Sequence, residues 1–434
     1  MALKTFTKDS PGARKGSKAT IAIALVTSLF FIWGLTMNLV NGLNSPMGNY
    51  LELSATEASF LQVAYYGAYF IMAIPASMVA KRYGYKGGVI LGLALFVIGS
   101  FITVPATNAA SFTLFLVSMF VIAAGASSLE ANCNPYITKL GDEKREAMRL
   151  NLAQGFNGVG SMVGPLILAQ ILTTTVAVGQ PGFDAAKLGF LANMRTVYIV
   201  IGVVLAVLLA VFVIVKLPTP PGDEEEMAAG DELADKGASI GAVLKRPHVS
   251  LGILAEFLYV GVQTIGFSLF SGIALAEWEG MTASTAAVLL SVLSLLFTIG
   301  RFASVPMLAK FDAGKMLGAY MGIASLLFLV TFLGLGPLSV ASLILAFLFM
   351  SIGYPTVFSL TLGGLKGAAV KTVSSLLVMS IVGGALVPIL AGALIDASGS
   401  QTFAMIIAVP SLAFVCWYGL KGSKIGLEEK RHGA

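Results

Sequence analysis

The chain has 434 residues, of which 57% are hydrophobic and only 11% are charged, with a formal net charge of +5. Because soluble globular domains carry charge on about a quarter of their residues, this composition excludes an ordinary soluble protein. Apolar runs of about twenty residues, each long enough to cross roughly 30 Å of hydrocarbon, recur from Ala19 to Leu420. The lipid bilayer is therefore the expected solvent.

The apolar runs predict helices rather than barrel strands, because stretches such as 203–215 are apolar on every face and do not alternate. Twelve helices are expected, at 20–47, 56–80, 85–105, 111–138, 148–174, 194–217, 247–273, 283–308, 314–335, 338–364, 370–395 and 400–420. An even count places both termini on one side, and the distribution of Lys and Arg predicts that this side is cytoplasmic. The positive charge thus reports topology and gives no reason to expect nucleic-acid binding.

One long polar segment separates the sixth and seventh helices. We expect a cytoplasmic tail at 1–19, a six-helix bundle at 20–217, a flexible cytoplasmic linker at 218–246, a second bundle at 247–420 and a cytoplasmic tail at 421–434. Weak similarity between the halves indicates a duplicated unit, as in transporters that bind their substrate between repeats. The predicted fold class is an all-α membrane protein with twelve transmembrane helices in two six-helix bundles.

Patterns typical of enzymes and ATP-driven pumps are missing from the sequence. Gly314-Lys315 is followed by Met316 and lacks the upstream glycine of a phosphate-binding loop. Cys133 and Cys416 lie far apart in apolar runs, which argues against a disulfide framework or a metal cluster. The sequence predicts no enzyme activity, no cofactor and no metal.

Two acidic residues, Glu130 and Glu256, fall well inside predicted membrane helices, whereas the other acidic residues lie in loops, tails or helix ends. A carboxylate near the midplane costs several kcal/mol unless it is paired, hydrated or protonated, so such a residue is by default a candidate for function. Both are predicted to take part in proton coupling, although a protonated glutamate that only joins helices stays open as the alternative. Arg301, near the end of the eighth helix, is expected to snorkel or to pair with a helix end.

Polar residues follow helical spacing on several predicted helices and form stripes that face inward. The predicted substrate-binding residues are Asn38, Asn41, Glu130, Asn134, Gln154, Asn157, Tyr259, Gln263 and Tyr354. Amides can both donate and accept hydrogen bonds, and aromatic rings can stack on the C–H faces of a sugar, so this combination favours a small polyhydroxylated ligand. Helix packing is the alternative explanation for any single amide.

The sequence is identified as a member of the fucose:proton symporter family of the major facilitator superfamily. The resemblance is carried by Phe-Phe-Ile-Trp-Gly at 30–34, Leu-Glu-Ala-Asn-Cys-Asn-Pro at 129–135, Leu-Asn-Leu-Ala-Gln-Gly-Phe-Asn at 150–157, Tyr-Val-Gly-Val-Gln-Thr at 259–264 and Ser-Ile-Gly-Tyr-Pro at 351–355. It implies import of a monosaccharide, L-fucose or a related hexose, coupled to a proton. It also implies that Glu130 engages sugar and proton and that Gln154 and Asn157 line the sugar site.

One departure from the family pattern concerns proton coupling. The family carries an aspartate, central to coupling, where this chain has Asn41, and a glutamine where it has Glu256. Coupling could therefore rest on Glu130 alone, Glu256 could take over the missing role, or the protein could be an uncoupled facilitator.

Other functions stay open beside sugar–proton symport. An exporter of apolar drugs is disfavoured by the polar stripes, and a non-transporting sugar sensor is an alternative from another class. The expected partners are a sugar, protons and the lipid bilayer. The expected location is the bacterial inner membrane, where the protein would work as a monomer and span the bilayer many times.

Overall fold

The computed structural model describes residues 11–53, 55–171, 176, 178–220 and 238–427, and the structural statements that follow concern these residues. The described part of the chain is helical and contains no strand. In its first half, five helices are α1 (Pro11–Tyr50), α2 (Ala55–Asn108), α3 (Phe112–Lys139), α4 (Glu146–Ile171) and α5 (Phe183–Ile214).

The described residues of the second half form nine α-helices. They are α6 (Ile240–Leu244), α7 (Pro247–Glu277), α8 (Ala283–Leu308), α9 (Ala313–Phe332), α10 (Pro337–Met350), α11 (Gly353–Thr361), α12 (Gly367–Ser380), α13 (Gly383–Ser398) and α14 (Ala408–Leu420). A 3₁₀ segment, Phe403–Ile407, leads into α14.

The segment α2 contains two of the predicted helices. It breaks at Gly84, where φ is 71° and ψ is 175°, a conformation that favours glycine because it has no Cβ. Its apolar part, Val63–Asn108, has 46 residues, which corresponds to about 69 Å of helix and is twice the thickness of the hydrocarbon core. The chain therefore crosses a membrane on each side of the break.

Two other predicted helices are interrupted. The predicted helix at 338–364 is divided into α10 and α11, and the predicted helix at 370–395 is divided into α12 and α13. The predicted sixth helix, 194–217, begins earlier than expected, at Phe183, directly after Gly182, whose left-handed conformation marks the helix start, and it ends at Ile214. Apolar runs locate these membrane segments, but they do not show where a helix breaks.

Nine helical stretches in the described residues are long and apolar enough to cross a membrane, with α10 and α11 counted as one stretch and α12 and α13 as another, and Ile21–Thr36 within α1 is a shorter apolar stretch. Close helix packing is visible between α2 and α3, where Gly92 and Gly125 face each other. A Cβ at Gly125 would lie 2.7 Å from the carbonyl oxygen of Gly92. In lipid there is no hydrophobic driving force for helix association, so membrane helices associate through close van der Waals packing. Small residues such as these glycines allow that close approach.

The described residues form two compact units, and the division falls within α4. The first unit contains the described residues up to Asp142 and those from Phe156 to 220. The second unit contains Glu143–Gly155 and the described residues from 238 onward. The predicted domain boundaries and the cytoplasmic location of the termini stay predictions.

Candidate substrate and proton site

Glu130 lies in the middle of α3, nine residues before the helix ends at Lys139, which corresponds to about 14 Å. Its side chain is only 5% exposed. Two hydroxyls from the preceding turn fix α3 against α2, because Ser127 donates to the carbonyl of Tyr69 at 3.2 Å and Ser128 donates to that of Gly88 at 2.9 Å. The backbone around Glu130 is thus held in place.

Tyrosines of α2 lie near this carboxyl. The ring of Tyr65 packs against those of Tyr66, with centroids 5.4 Å apart, and Tyr69, with centroids 5.0 Å apart. Glu130 is close enough to Tyr65 for the two groups to interact electrostatically. Asn134, one turn after Glu130, is completely buried in α3. The first unit thus places a buried carboxyl beside aromatic rings and an amide.

A second polar group of the first unit joins α4 to α1. The side-chain amide of Asn157 donates to the carbonyl of Phe30 at 3.1 Å, and Gly34 leaves the space that Asn157 occupies. The amide of Asn38 donates to the carbonyl of Gly34 at 3.2 Å. The ring of Phe30 stacks on Trp33 at a centroid distance of 4.7 Å.

These contacts orient both amides. Because an N–H of each amide is committed to a main-chain carbonyl of α1, the oxygen of each amide points away from that carbonyl. A half-buried amide held in this way can accept a hydrogen bond from a sugar hydroxyl without first reorganising. The side chain of Asn41 lies outside the part of the chain that the structure describes.

Glu256 belongs to the second unit and is completely buried in α7, nine residues after the helix begins at Pro247. It is close enough to Tyr259 and Tyr418 to interact with them electrostatically. The hydroxyl of Tyr418 lies 2.8 Å from that of Thr361 and donates to the carbonyl of His248 at 3.1 Å. The hydroxyl of Tyr418, held by these contacts, is therefore part of the electrostatic surroundings of Glu256.

The other predicted residues of the second unit differ in exposure. Tyr259 is completely buried, and its hydroxyl donates to the carbonyl of Met350 at 2.6 Å. Tyr354 is buried at the start of α11, Gln154 is buried in α4, and Gln263 is half-buried in α7. The predicted site residues therefore fall into two sets, one in each unit.

Of the two expectations for Arg301, snorkelling and pairing with a helix end, the structure shows the second. A snorkelling arginine would be exposed, yet Arg301 is only 5% exposed. Its guanidinium donates to the carbonyls of Gln154, at 2.8 Å, and Ser351, at 3.1 Å. Since Ser351 ends α10, the expected pairing with a helix end is correct. The feature of the sequence that could have indicated this buried role is an arginine that directly follows Gly300 within an apolar helix.

No group of three His, Cys, Asp or Glu side chains in the described residues lies close enough together to hold a metal ion. The chemistry available at these positions is hydrogen bonding, ring stacking and proton binding by carboxyl groups.

Comparisons with known proteins identify the family of this chain. Residues 25–376 match the Major Facilitator Superfamily. The chain is 34% identical to the L-fucose-proton symporter of Escherichia coli K12, over 91% of each chain. It is 33% identical to a glucose/galactose transporter of Brucella abortus, over 93% of this chain and 94% of that protein.

Solved structures give the same result. A crystal structure of the E. coli fucose:proton symporter superposes with a TM-score of 0.83 at 33% identity, covering 93% of this chain and 98% of that one. A proton:xylose symporter shares the fold, with a TM-score of 0.69, at only 13% identity. These matches confirm the predicted fold class and identify the protein as a multi-pass membrane transporter and not an enzyme. The chain belongs to the fucose:proton symporter family of the major facilitator superfamily.

Proposed function

We propose that this protein imports a monosaccharide, L-fucose or a related hexose, together with a proton across the bacterial inner membrane by alternating access. The observation that carries the proposal is the buried carboxyl of Glu130 in the same unit as the oriented amides of Asn38 and Asn157. Relatives that transport fucose with protons, or glucose and galactose, support the same substrate class.

The proposed sugar site combines hydrogen-bond acceptors with aromatic rings. The oxygens of Asn38 and Asn157 accept hydrogen bonds from sugar hydroxyls, while the half-buried ring of Tyr66, packed against Tyr65, offers a surface for stacking. Preorganised groups of this kind bind a ligand well because little side-chain entropy is lost on binding. In the second unit, the residues proposed to bind sugar are Gln154, Gln263 and Tyr354.

Glu130 carries the coupled proton in this proposal. As a neutral acid it can donate a hydrogen bond to a sugar oxygen, and as a carboxylate it can only accept one. Binding of sugar and proton is therefore linked at one group, because a sugar oxygen that accepts from the neutral acid binds the protonated carrier better than the carboxylate form. The loaded carrier and the empty carrier can then reorient, whereas the half-loaded carrier is disfavoured.

Glu256 is the candidate for a second coupling group. Its complete burial near Tyr259 and Tyr418 favours a proton-binding role over that of a solvated surface acid. An uncoupled facilitator is the second candidate function, because asparagine at position 41 does not titrate. A sugar sensor would bind the same ligands without moving them.

The test is uptake of labelled sugars by proteoliposomes containing the purified protein. L-fucose, D-glucose and D-galactose are offered separately, and each unlabelled sugar then competes with the best substrate. Saturable uptake of one sugar, lost when the vesicles contain no protein, supports the proposal. Binding without uptake would indicate a sensor, and neither binding nor uptake would contradict a sugar substrate.

A further inference from the structure

The break between α10 and α11 leaves a main-chain acceptor for a side chain to satisfy. In a continuous helix the carbonyl of Ser351 would accept from the N–H of residue 355, four positions later. Position 355 is proline, which has no N–H. The structure supplies the missing donor from α8, because Nε of Arg301 donates to this carbonyl at 3.1 Å.

Arg301 is shaped and placed for this task. Its guanidinium lies over the ring of Phe297, with Cζ 4.6 Å from the ring centroid, so its plane is fixed. The adjacent Gly300 allows α8 to approach the end of α10, since a Cβ there would lie 2.5 Å from the carbonyl of Leu348 and from Oγ of Ser351. An arginine with only 5% exposure requires several acceptors.

The same guanidinium holds α4. Its Nη1 donates to the carbonyl of Gln154 at 2.8 Å. The surrounding part of α4 is packed within the second unit, because the amide of Asn151 donates to the hydroxyl of Thr356 at 3.1 Å. One planar group thus joins the main chain at Gln154 to the main chain at Ser351.

We propose that Arg301 is a positioning residue for the sugar site: by joining the main chain at Gln154 to the main chain at Ser351, it fixes the side chain of Gln154 relative to that of Tyr354. This inference rests on the proposed function, because Gln154 and Tyr354 are residues assigned there to the sugar. Lysine cannot replace arginine, since a single ammonium nitrogen does not occupy both donor positions of the planar fork.

A double-substitution cycle tests the proposal by measuring the Kd of the purified protein for L-fucose, D-galactose and D-glucose calorimetrically. Each charge-assisted hydrogen bond contributes enough that Arg301→Lys should weaken binding by about ten- to a hundredfold. In a Gln154→Ala background the same substitution should weaken binding by less than about threefold, because the side chain that Arg301 positions is gone. Asn38→Ala is the matched control background, and there Arg301→Lys should again weaken sugar binding by about ten- to a hundredfold.

Equal losses in all three backgrounds would contradict the positioning role, because a purely structural effect of Arg301 would not depend on the side chain at position 154. If Arg301→Lys does not fold, Phe297→Leu takes its place in the cycle. This substitution keeps the donors of Arg301 but removes the ring that fixes the plane of its guanidinium. The loss of sugar affinity should again be smaller in the Gln154→Ala background than in the Asn38→Ala background. Failure of the unsubstituted protein to bind any of the three sugars would instead contradict the proposed function itself, and this proposal with it.

Discussion

The ring of Tyr259 fills the space in front of Gly353, and its hydroxyl donates to the carbonyl of Met350 at 2.6 Å. A side chain at position 353 would collide with that ring, so α7 can approach the start of α11 only because position 353 is glycine. This contact positions the neighbouring Tyr354. The break between α10 and α11 is thus held at two adjacent carbonyls, that of Met350 by Tyr259 and that of Ser351 by Arg301.

Gly353→Ala should therefore destabilise the protein by about 2 kcal/mol or more, since overpacking a tight contact forces backbone and ring to shift. Thermal unfolding of the purified protein in detergent measures the effect as a fall in Tm. Gly392→Ala is the control, because a Cβ at this helical position meets nothing within 4 Å, and it should leave Tm unchanged or raise it. Equal losses at both positions would contradict this explanation.

Asn157→Asp should weaken sugar binding by about ten- to a hundredfold, because leaving a buried polar group without its partner costs about 1–3 kcal/mol, and more when the group is charged. The substitution removes the N–H that donates to Phe30 and places a carboxylate oxygen near that carbonyl. Equilibrium binding of the best transported sugar measures the change.

Ser161→Ala provides the control for the preceding substitution. The Ser161 hydroxyl donates to the main-chain carbonyl of Asn157 at 3.0 Å and does not orient the amide. Sugar affinity should stay within about threefold of the original, since a neutral hydrogen bond to a carbonyl contributes about 1 kcal/mol or less. If Ser161→Ala weakened sugar binding as much as Asn157→Asp, any change in this region would impair binding. The orientation of the Asn157 amide would then have no specific role in sugar binding.

Glu256→Gln should abolish proton-driven accumulation while sugar exchange across the membrane continues, if Glu256 supplies the coupling group that Asn41 lacks. Glutamine keeps the size and the hydrogen-bonding capacity of the side chain and removes only its titration. Glu277→Gln is the control. Glu277, the last residue of α7, accepts a hydrogen bond from the N–H of Gly336, and a glutamine side chain can still accept it, so accumulation should continue. Normal accumulation by Glu256→Gln would assign coupling to Glu130 alone.

The sequence places Glu130 and Glu256 well inside apolar helices, and the structure has both in such helices with buried side chains. The sequence also contains Pro355, whose missing N–H interrupts helical hydrogen bonding as a local property. The length of the break between α10 and α11 depends on Tyr259 and Arg301, which come from other helices. Local patterns contain no information about such partners.

Long-range partners explain the other differences. Asn157 is recognisable as a polar residue in a membrane helix, but its acceptor, the carbonyl of Phe30, lies 127 positions away in sequence. Arg301 resembles a snorkelling residue because it lies near a helix end, and only the acceptors at Gln154 and Ser351 explain its burial. Hydrogen bonds to the main chain of another helix leave no trace in helical periodicity.

The most direct test of sugar–proton symport is accumulation of the labelled substrate sugar in proteoliposomes under an imposed inward proton gradient, with Glu130→Gln measured in parallel. One proton moving down about 150 mV supplies roughly 3.5 kcal/mol, which allows accumulation of several hundredfold. We expect gradient-driven accumulation above the external concentration by the original protein and only equilibration, or no uptake, by Glu130→Gln. Uptake by the original protein that stops at the external concentration, with and without the gradient, would contradict symport and identify a facilitator.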